Sequence, residues 1–317
     1  MNEPRVTIDE DDRYSRLKLI GWWDQDRLRR SRVLVVGAGA LGNEVLKNLA
    51  LVGIGHITLI DFDVIENSNL SRSVLYRAQD TGQAKADVAA RAVRDLNPDV
   101  SITAINGNVL TQIGLGLVRE KDLVIGCLDN REARLWVNRM CWKVGTPWID
   151  GGIQEVNGVA KVFIPPDGAC YECGMTEMDY QLIQLRYSCP LLKREDLLQG
   201  KVPTAPTIAS IIGGLQVQEA LKLLHGIPTD HGSAMVFNGA ANQFYKSEFQ
   251  HREDCLSHET YEPIIESEMS CQNSLSEVVE SLQADESEPV QSLSLDRDLV
   301  ISLDCGRCQT SHDVMRT

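Results

Sequence analysis

Three short-range pairs stand out among the residues that could do chemistry. Cys170/Cys173 and Cys305/Cys308 are each a CxxC, and Cys255/His258 is a CxxH. Such spacing puts two metal-ligating atoms on one turn, so metal binding is the first chemistry to expect of them. A second group begins at a glycine-rich turn, GAGALG, from Gly37 to Gly42. Set between a strand and a helix, it would aim backbone N–H groups at an anion, and the helix dipole adds to the attraction. Asp61 follows 19 residues after Gly42, at the end of the next apolar run, where a carboxylate can accept hydrogen bonds from a ribose. Asn69, Arg72 and Lys85 come next, and CLDN supplies Asp129 and Asn130. Cations beside a phosphate turn, with an acid able to hold Mg²⁺, suit a nucleoside triphosphate better than a nicotinamide. Each residue also has a plain structural alternative: a tight turn without ligand, surface cations at Arg72 and Lys85, a helix cap at Asp129.

These residues need elements to position them. RVLVVG (32–37) is a continuous apolar run, as in a parallel strand buried on both faces. Val45, Leu46, Leu49 and Val52 then recur at helical spacing until Gly53 and Gly55, and HITLID (56–61) is the next strand. Further strands are predicted at 101–106, 122–127, 147–152 and 159–164, with helices at 84–96 and 131–144. Alternating strands and helices indicate an α/β fold, a Rossmann-like doubly wound sheet, with ligand groups at the carboxyl ends of its strands. A long amphipathic helix is expected over 208–224. The stretch 174–206 before it has no strong period and reads as a loop or crossover segment. After residue 259 the sequence becomes rich in Ser and Glu, with one helix expected over 274–284 and one strand over 298–303. The expected organisation is an N-terminal helical segment (1–31), a main domain (32–258) and an acidic tail or small module (259–317).

Composition narrows the function. The formal charge is −14, and residues 252–317 carry 15 acids against four bases. That balance argues against a protein that coats nucleic acid. No run of about 18 apolar residues suggests a membrane span. Nine cysteines, an odd count with no apolar leader, point to reduced thiols in a cytoplasmic setting. Cys127 and Cys141 fall in strand and helix patterns and read as core, while Cys271 sits in a polar stretch. Cys189, in RYSCPLLKRED, has Arg186, Lys193 and Arg194 nearby to favour a thiolate. A small buried apolar residue is its structural alternative.

The ordered set from RYSRLKLIGWWDQDRLRRSRVLVVGAGALGNEVLKNLALVGIGHITLIDFDVIENSNLSRSVLY to GQAKAD resembles the ThiF/MoeB/ubiquitin-activating enzyme superfamily, over about residues 13–258. The resemblance implies an enzyme that binds Mg·ATP and adenylates the C-terminal glycine of a ubiquitin-like protein. By that likeness Gly37, Gly39, Ala40 and Gly42 would line the phosphate turn and Asp61 would meet the ribose. Asn69, Arg72 and Lys85 would contact phosphates, Asp129, with Asn130 beside it, would hold Mg²⁺, and Arg16 would enter the opposite protomer's site in a homodimer. Ser73 departs from the family's usual Gln. The likeness also makes CYEC (170–173) a first zinc pair, completed by position with Cys255 and His258 as a structural Zn²⁺ site. Completion by Cys305 and Cys308, or a second site of Cys305, Cys308 and His312, stays open. Cys189 lies where the family's thioester cysteines lie, which implies transfer onward to a conjugating enzyme. The alternative is an adenylyltransferase for a ThiS/MoaD-type sulfur carrier in thiamine or molybdopterin synthesis, which needs no thioester at Cys189. A noncatalytic partner subunit lending Arg16 would not need Arg72, Lys85 and Asp129, and a nicotinamide oxidoreductase would not need Lys85 or the cysteine pairs.

Overall fold

A computed structural model describes residues 11–188, 203–264, 269–270, 272–285, 300–304, 308 and 310–316. They fall into two compact units, one ending at Glu262 and one beginning at Pro263. The first is built on an eight-stranded sheet: β1 (Arg32–Val36), β2 (His56–Asp61), β3 (Ser101–Asn106), β4 (Leu123–Gly126), β5 (Trp148–Gln154), β6 (Asn157–Phe163), β7 (Ser233–Asn238) and β8 (Gln243–Glu248). Their spatial order is β3-β2-β1-β4-β5-β6-β7-β8. β1 to β5 run parallel, and β6, β7 and β8 extend the sheet as an antiparallel meander. The sheet is therefore mixed, with the Rossmann-like part at β1–β5. The apolar-run reading misses β7 and β8. All six residues of β8 are exposed, so burial imposes no hydrophobic signature on it.

The helices of this unit are α1 (Gln25–Arg30), α2 (Ala40–Val52), α3 (Lys85–Leu96), the short α4 (Val109–Gln112) and α5 (Leu115–Arg119), α6 (Arg131–Val144), α7 (Glu177–Ser188) and α8 (Pro206–His225). Alternate residues of one strand point to opposite faces, and the two cores follow that rule. Val33, Val35, Ile57 and Leu59 pack with Val45, Leu46 and Leu49 of α2, Val93 of α3 and Val217 of α8. Leu34, Val36, Ile60 and Trp148 pack on the other face with Val118, Val137, Cys141 and Trp142 from α5 and α6. A Cβ on Gly213 of α8 would lie 2.8 Å from Glu44 Cβ of α2, so the two helices come within reach there only because that position is bare.

The segment expected to be a loop before α8 instead contains α7. Its apolar residues are not concentrated on one face, so periodicity gave no warning. A local signal was present in Thr176-x-x-Asp179: the Asp179 carboxylate accepts from the Thr176 N–H at 2.9 Å and from its hydroxyl at 2.8 Å, which holds the helix start. Cys189 lies outside the described residues. N-terminal to the sheet, Tyr14 is buried, and Asp24 caps α1 by accepting the Arg27 N–H at 2.9 Å. The second unit contains α9 (Leu275–Asp285) and an antiparallel pair, β9 (Val300–Asp304) with β10 (Ser311–Arg316). The sequence pattern predicts a strand at 298–303 but none at β10. Among the described residues no helix is long and apolar enough to cross a membrane.

Leu49 has no exposed surface and sits among α2, the sheet and its neighbours in the first core. Leu49→Ala is expected to lower the unfolding free energy by about 3 kcal/mol, read as a shift of the urea midpoint with unchanged slope.

Candidate functional site

β2, β1 and β4 are adjacent and parallel, so the loops after them leave the sheet side by side. The glycine turn follows β1. Gly37 has φ +99°, and a Cβ there would lie 2.5 Å from the Cys127 carbonyl oxygen. A Cβ on Gly42 would lie 2.0 Å from the Gly37 carbonyl oxygen, whereas Gly39 faces open space. The first and last glycines thus let backbone close on backbone, and the middle one leaves room for a ligand. Gly39 is the N-cap of α2, no side chain caps that helix, and Ala40 is its first residue. Its leading N–H groups are therefore available to an anion.

Several buried side chains hold this turn. Asn43 donates to the carbonyls of Ala38 at 2.8 Å and Gly39 at 2.9 Å, and accepts the Leu75 N–H at 2.9 Å. The Tyr76 hydroxyl donates to the Ala38 carbonyl at 2.7 Å. Asp61, at the end of β2, accepts the Ala38 N–H at 2.7 Å through one oxygen and the Asp63 N–H at 2.8 Å through the other. Burial raises the Asp61 pKa above the ordinary carboxylate value, against the pull of those N–H groups and of Lys85.

The expected cations reach the same end of the sheet in part. Lys85 is the first residue of α3; its side chain is buried, and its ammonium pairs with Asp63 at 2.7 Å. Asn69 closes a single 3-10 turn (Asn67–Asn69) and accepts the Glu66 N–H at 2.9 Å. Arg72 is half-buried and donates to the Ser68 carbonyl at 3.0 Å, and Ser73 is buried. Asp129 is exposed after β4, with Asn130 Nδ2 3.4 Å from its carboxylate. The helix cap proves to be Asn130, which accepts the Ala133 N–H at 2.8 Å. Arg16 is exposed and belongs to the opposite end of the unit. Two residues before it, Tyr14 packs beneath Gly53 at the C-terminal end of α2 and takes a hydrogen bond from Asn97 at 2.6 Å. A 13-residue helix spans about 20 Å, so Arg16 does not reach the glycine turn of its own chain.

A second constellation lies beyond α6. The ligating atoms of Cys170, Cys173, Cys255 and His258 all lie within 4.8 Å of one another. The Cys170 sulfur is 3.7 Å from that of Cys173 and 3.5 Å from that of Cys255, and Cys173 is 3.3 Å from His258 Nε2. Burial first, then neighbouring thiolates, push the Cys170 and Cys255 thiols up, so several thiolates together there call for a cation. Asn138 is fully buried; its amide oxygen accepts from Tyr171 N–H at 3.0 Å and Trp148 Nε1 at 3.3 Å. Its Nδ2 has no oxygen or nitrogen partner and favours a Cys170 thiolate. The His258 ring stacks on Trp142 and His251. Glu172, inside CYEC, is a buried hub that the sequence reading passed over. It accepts from Arg139 at 2.7 Å, from Tyr180 at 2.7 Å and from the Ser257 hydroxyl, joining α6, α7 and the CLSH turn. Cys305 lies outside the described residues, and Cys308 is exposed in the second unit.

Residues 12–257 match the model of the ThiF family. In sequence the chain is similar to a SAMP-activating enzyme E1 of Haloferax volcanii, 36% identical over 233 residues that span 71% of this chain and 78% of that protein. It is 34% identical over 237 residues to a sulfur carrier protein adenylyltransferase of Thermus thermophilus, 70% of this chain and 81% of that one. In structure it is similar to Escherichia coli MccB with succinimide, at a TM-score of 0.65 and 25% identity over 78% of this chain and 74% of the other.

Replacing Glu172 by Ala strips four hydrogen bonds from a buried carboxylate, two of them from Arg139, and leaves their donors without it. The expected loss is about 2–3 kcal/mol of unfolding free energy, measured by chemical denaturation. Arg139→Met, whose partner keeps Tyr180 and Ser257, is expected to lose less.

Proposed function

This chain belongs to the ThiF family, and on that premise we propose that it adenylates the C-terminal carboxylate of a glycine-ended protein, of the ubiquitin-like or sulfur-carrier kind, using Mg·ATP. The observation that carries this reading is one juxtaposition. At the carboxyl ends of β2, β1 and β4, an uncapped helix start, a turn open at Gly39, the Asp61 carboxylate and the Asp63–Lys85 pair meet. In this reading Gly37, Gly39, Ala40 and Gly42 cradle phosphate, and Asp61 takes the ribose. Asn69, Arg72 and Lys85 neutralise phosphate charge, and Asp129 and Asn130 sit at the Mg²⁺. Lys85 would exchange Asp63 for a phosphate oxygen when nucleotide enters. Arg16 would come from a partner protomer of a homodimer, since its own turn is out of reach.

The chemistry needs little from the protein beyond orientation and charge. A carboxylate oxygen bonds to the α-phosphorus, the α–β phosphoanhydride bond breaks, and pyrophosphate leaves with the electron pair. The cations stabilise charge on the phosphoryl oxygens as this happens. In the ubiquitin-like version, the Cys189 thiolate then attacks the acyl carbon, a C–S bond forms, AMP departs, and the acyl group passes to a conjugating enzyme. Similarity to a sulfur carrier protein adenylyltransferase favours a second version that ends at the adenylate and leaves Cys189 without a chemical role.

The cysteine–histidine cluster fits Zn²⁺. With Zn–S bonds of about 2.3 Å, a tetrahedron has S···S edges of about 3.8 Å, close to the 3.5 and 3.7 Å found. All four corners come from the chain, so such a site would be structural, holding residues 170–173 to 255–258.

Purified protein, Mg·ATP and a glycine-ended ubiquitin-like protein, run on a nonreducing gel, are expected to give a thiol-sensitive conjugate that Cys189→Ala abolishes. Pyrophosphate release with no conjugate, unchanged by the mutation, would select the sulfur-carrier version. No carrier-dependent pyrophosphate release with either kind of carrier would refute adenylation. Cys255→Ser is expected to bring bound zinc from about one ion per chain to well below it, by atomic absorption.

A further inference from the structure

We propose that Arg134, clamped by the buried carboxylate of Asp150, is the positioning residue for the loop that carries Asp129. This rests on the reading of Asp129 as the acid at Mg·ATP. Asp129 itself is exposed, so its direction is set by the backbone on either side. After it, Asn130 is fixed as the cap of α6. Before it, the Leu128 carbonyl accepts from Arg134 Nη2 at 2.5 Å, and the same nitrogen donates to the Gly151 carbonyl at 3.0 Å. Arg134 Nε donates to Asp150 Oδ1 at 2.9 Å. One planar guanidinium thus ties the loop after β4 to the middle of β5.

The clamp is held in its turn. The Asp150 side chain has no exposed surface, and its second oxygen takes Lys161 Nζ at 3.3 Å. Lys161 Nζ also lies 4.9 Å over the Tyr171 ring, inside CYEC. A buried ion pair is a poor device for stability alone, since apolar groups of the same volume serve as well. What the fork supplies is direction: donors at fixed angles to two carbonyls and a carboxylate, a pattern that an ammonium cannot reproduce.

The test is a Mg²⁺ titration of ATP binding by calorimetry, without any carrier. Wild type is compared with Arg134→Lys, which keeps the charge beside Asp150 but loses the fork, and with the double variant Arg134→Met/Asp150→Asn, which leaves neither charge buried. An unfolding curve for each certifies the fold. In each folded variant the half-saturating Mg²⁺ concentration is expected to rise about tenfold, while ATP affinity in the absence of divalent metal stays as in wild type. Placed on an Asp129→Asn background, the same changes are expected to add nothing, because they act through Asp129. An unchanged Mg²⁺ midpoint in a folded variant, or an equal further shift on the Asp129→Asn background, would overturn the positioning role. A wild-type protein whose ATP binding ignores Mg²⁺, or that binds no ATP, would remove the nucleotide reading beneath it, a result separable from the others because it appears before any substitution.

Discussion

Backbone packs directly on backbone where β1 turns into α2, and the rest of the site is arranged around that contact. The space that a Gly42 side chain would need is taken by the Gly37 carbonyl, and the space beside Gly37 by the Cys127 carbonyl. The loops after β1 and β4 can approach this closely only because both positions are glycine. Asp61 then pins the turn from the β2 side through the Ala38 N–H. Asn43 and Tyr76 pin it from below through carbonyls. A helix start held this way presents its N–H groups without rearrangement, which is what makes electrostatic stabilisation effective at the moment of reaction.

The two constellations of the first unit are built on a common principle of buried charge satisfied by several partners. Asp150 is bound by Arg134 and Lys161, and Glu172 by Arg139, Tyr180 and Ser257. In Glu172 burial alone would raise the pKa, yet the hydrogen bonds outweigh it and hold the carboxyl below its ordinary value. Both carboxylates join segments distant in sequence: Asp150 links β5, α6 and β6, and Glu172 links the CYEC turn, α6, α7 and the CLSH turn. α6 takes part in both, with Arg134 facing one and Arg139 the other.

Much of this was legible in the sequence, and the reasons are local. β1, β2 and β4 are largely buried runs, and α2, α3 and α6 have strong apolar faces, so sequence pattern locates them within a residue or two; β3, with only Ile102 buried, is read from its β-branched alternation instead. The glycine turn and the cysteine pairs announce themselves through residue type and spacing. β8 was illegible because none of its residues is buried, and α7 because its apolar residues do not gather on one face, although its Thr176/Asp179 cap could have been read. The residues that hold the site were missed for a different reason. Asn43, Tyr76, Arg134, Asp150 and Glu172 work through partners as far as 85 positions away, and no local pattern records such a bond. In the sequence Asp150 is only part of the 147–152 strand pattern, and Glu172 only the spacer between two cysteines.

The central claim is that a protein carboxylate attacks the α-phosphorus in the crevice above β2, β1 and β4. Isotope transfer tests it most directly. A glycine-ended ubiquitin-like carrier with ¹⁸O in its terminal carboxylate is incubated with the protein and Mg·ATP, the adenylate is cleaved with hydroxylamine, and the AMP and pyrophosphate are weighed by mass spectrometry. The account predicts one ¹⁸O in the AMP phosphoryl group and none in pyrophosphate, abolished by Lys85→Ala. ADP and orthophosphate in place of AMP and pyrophosphate, or label in the pyrophosphate, would contradict it.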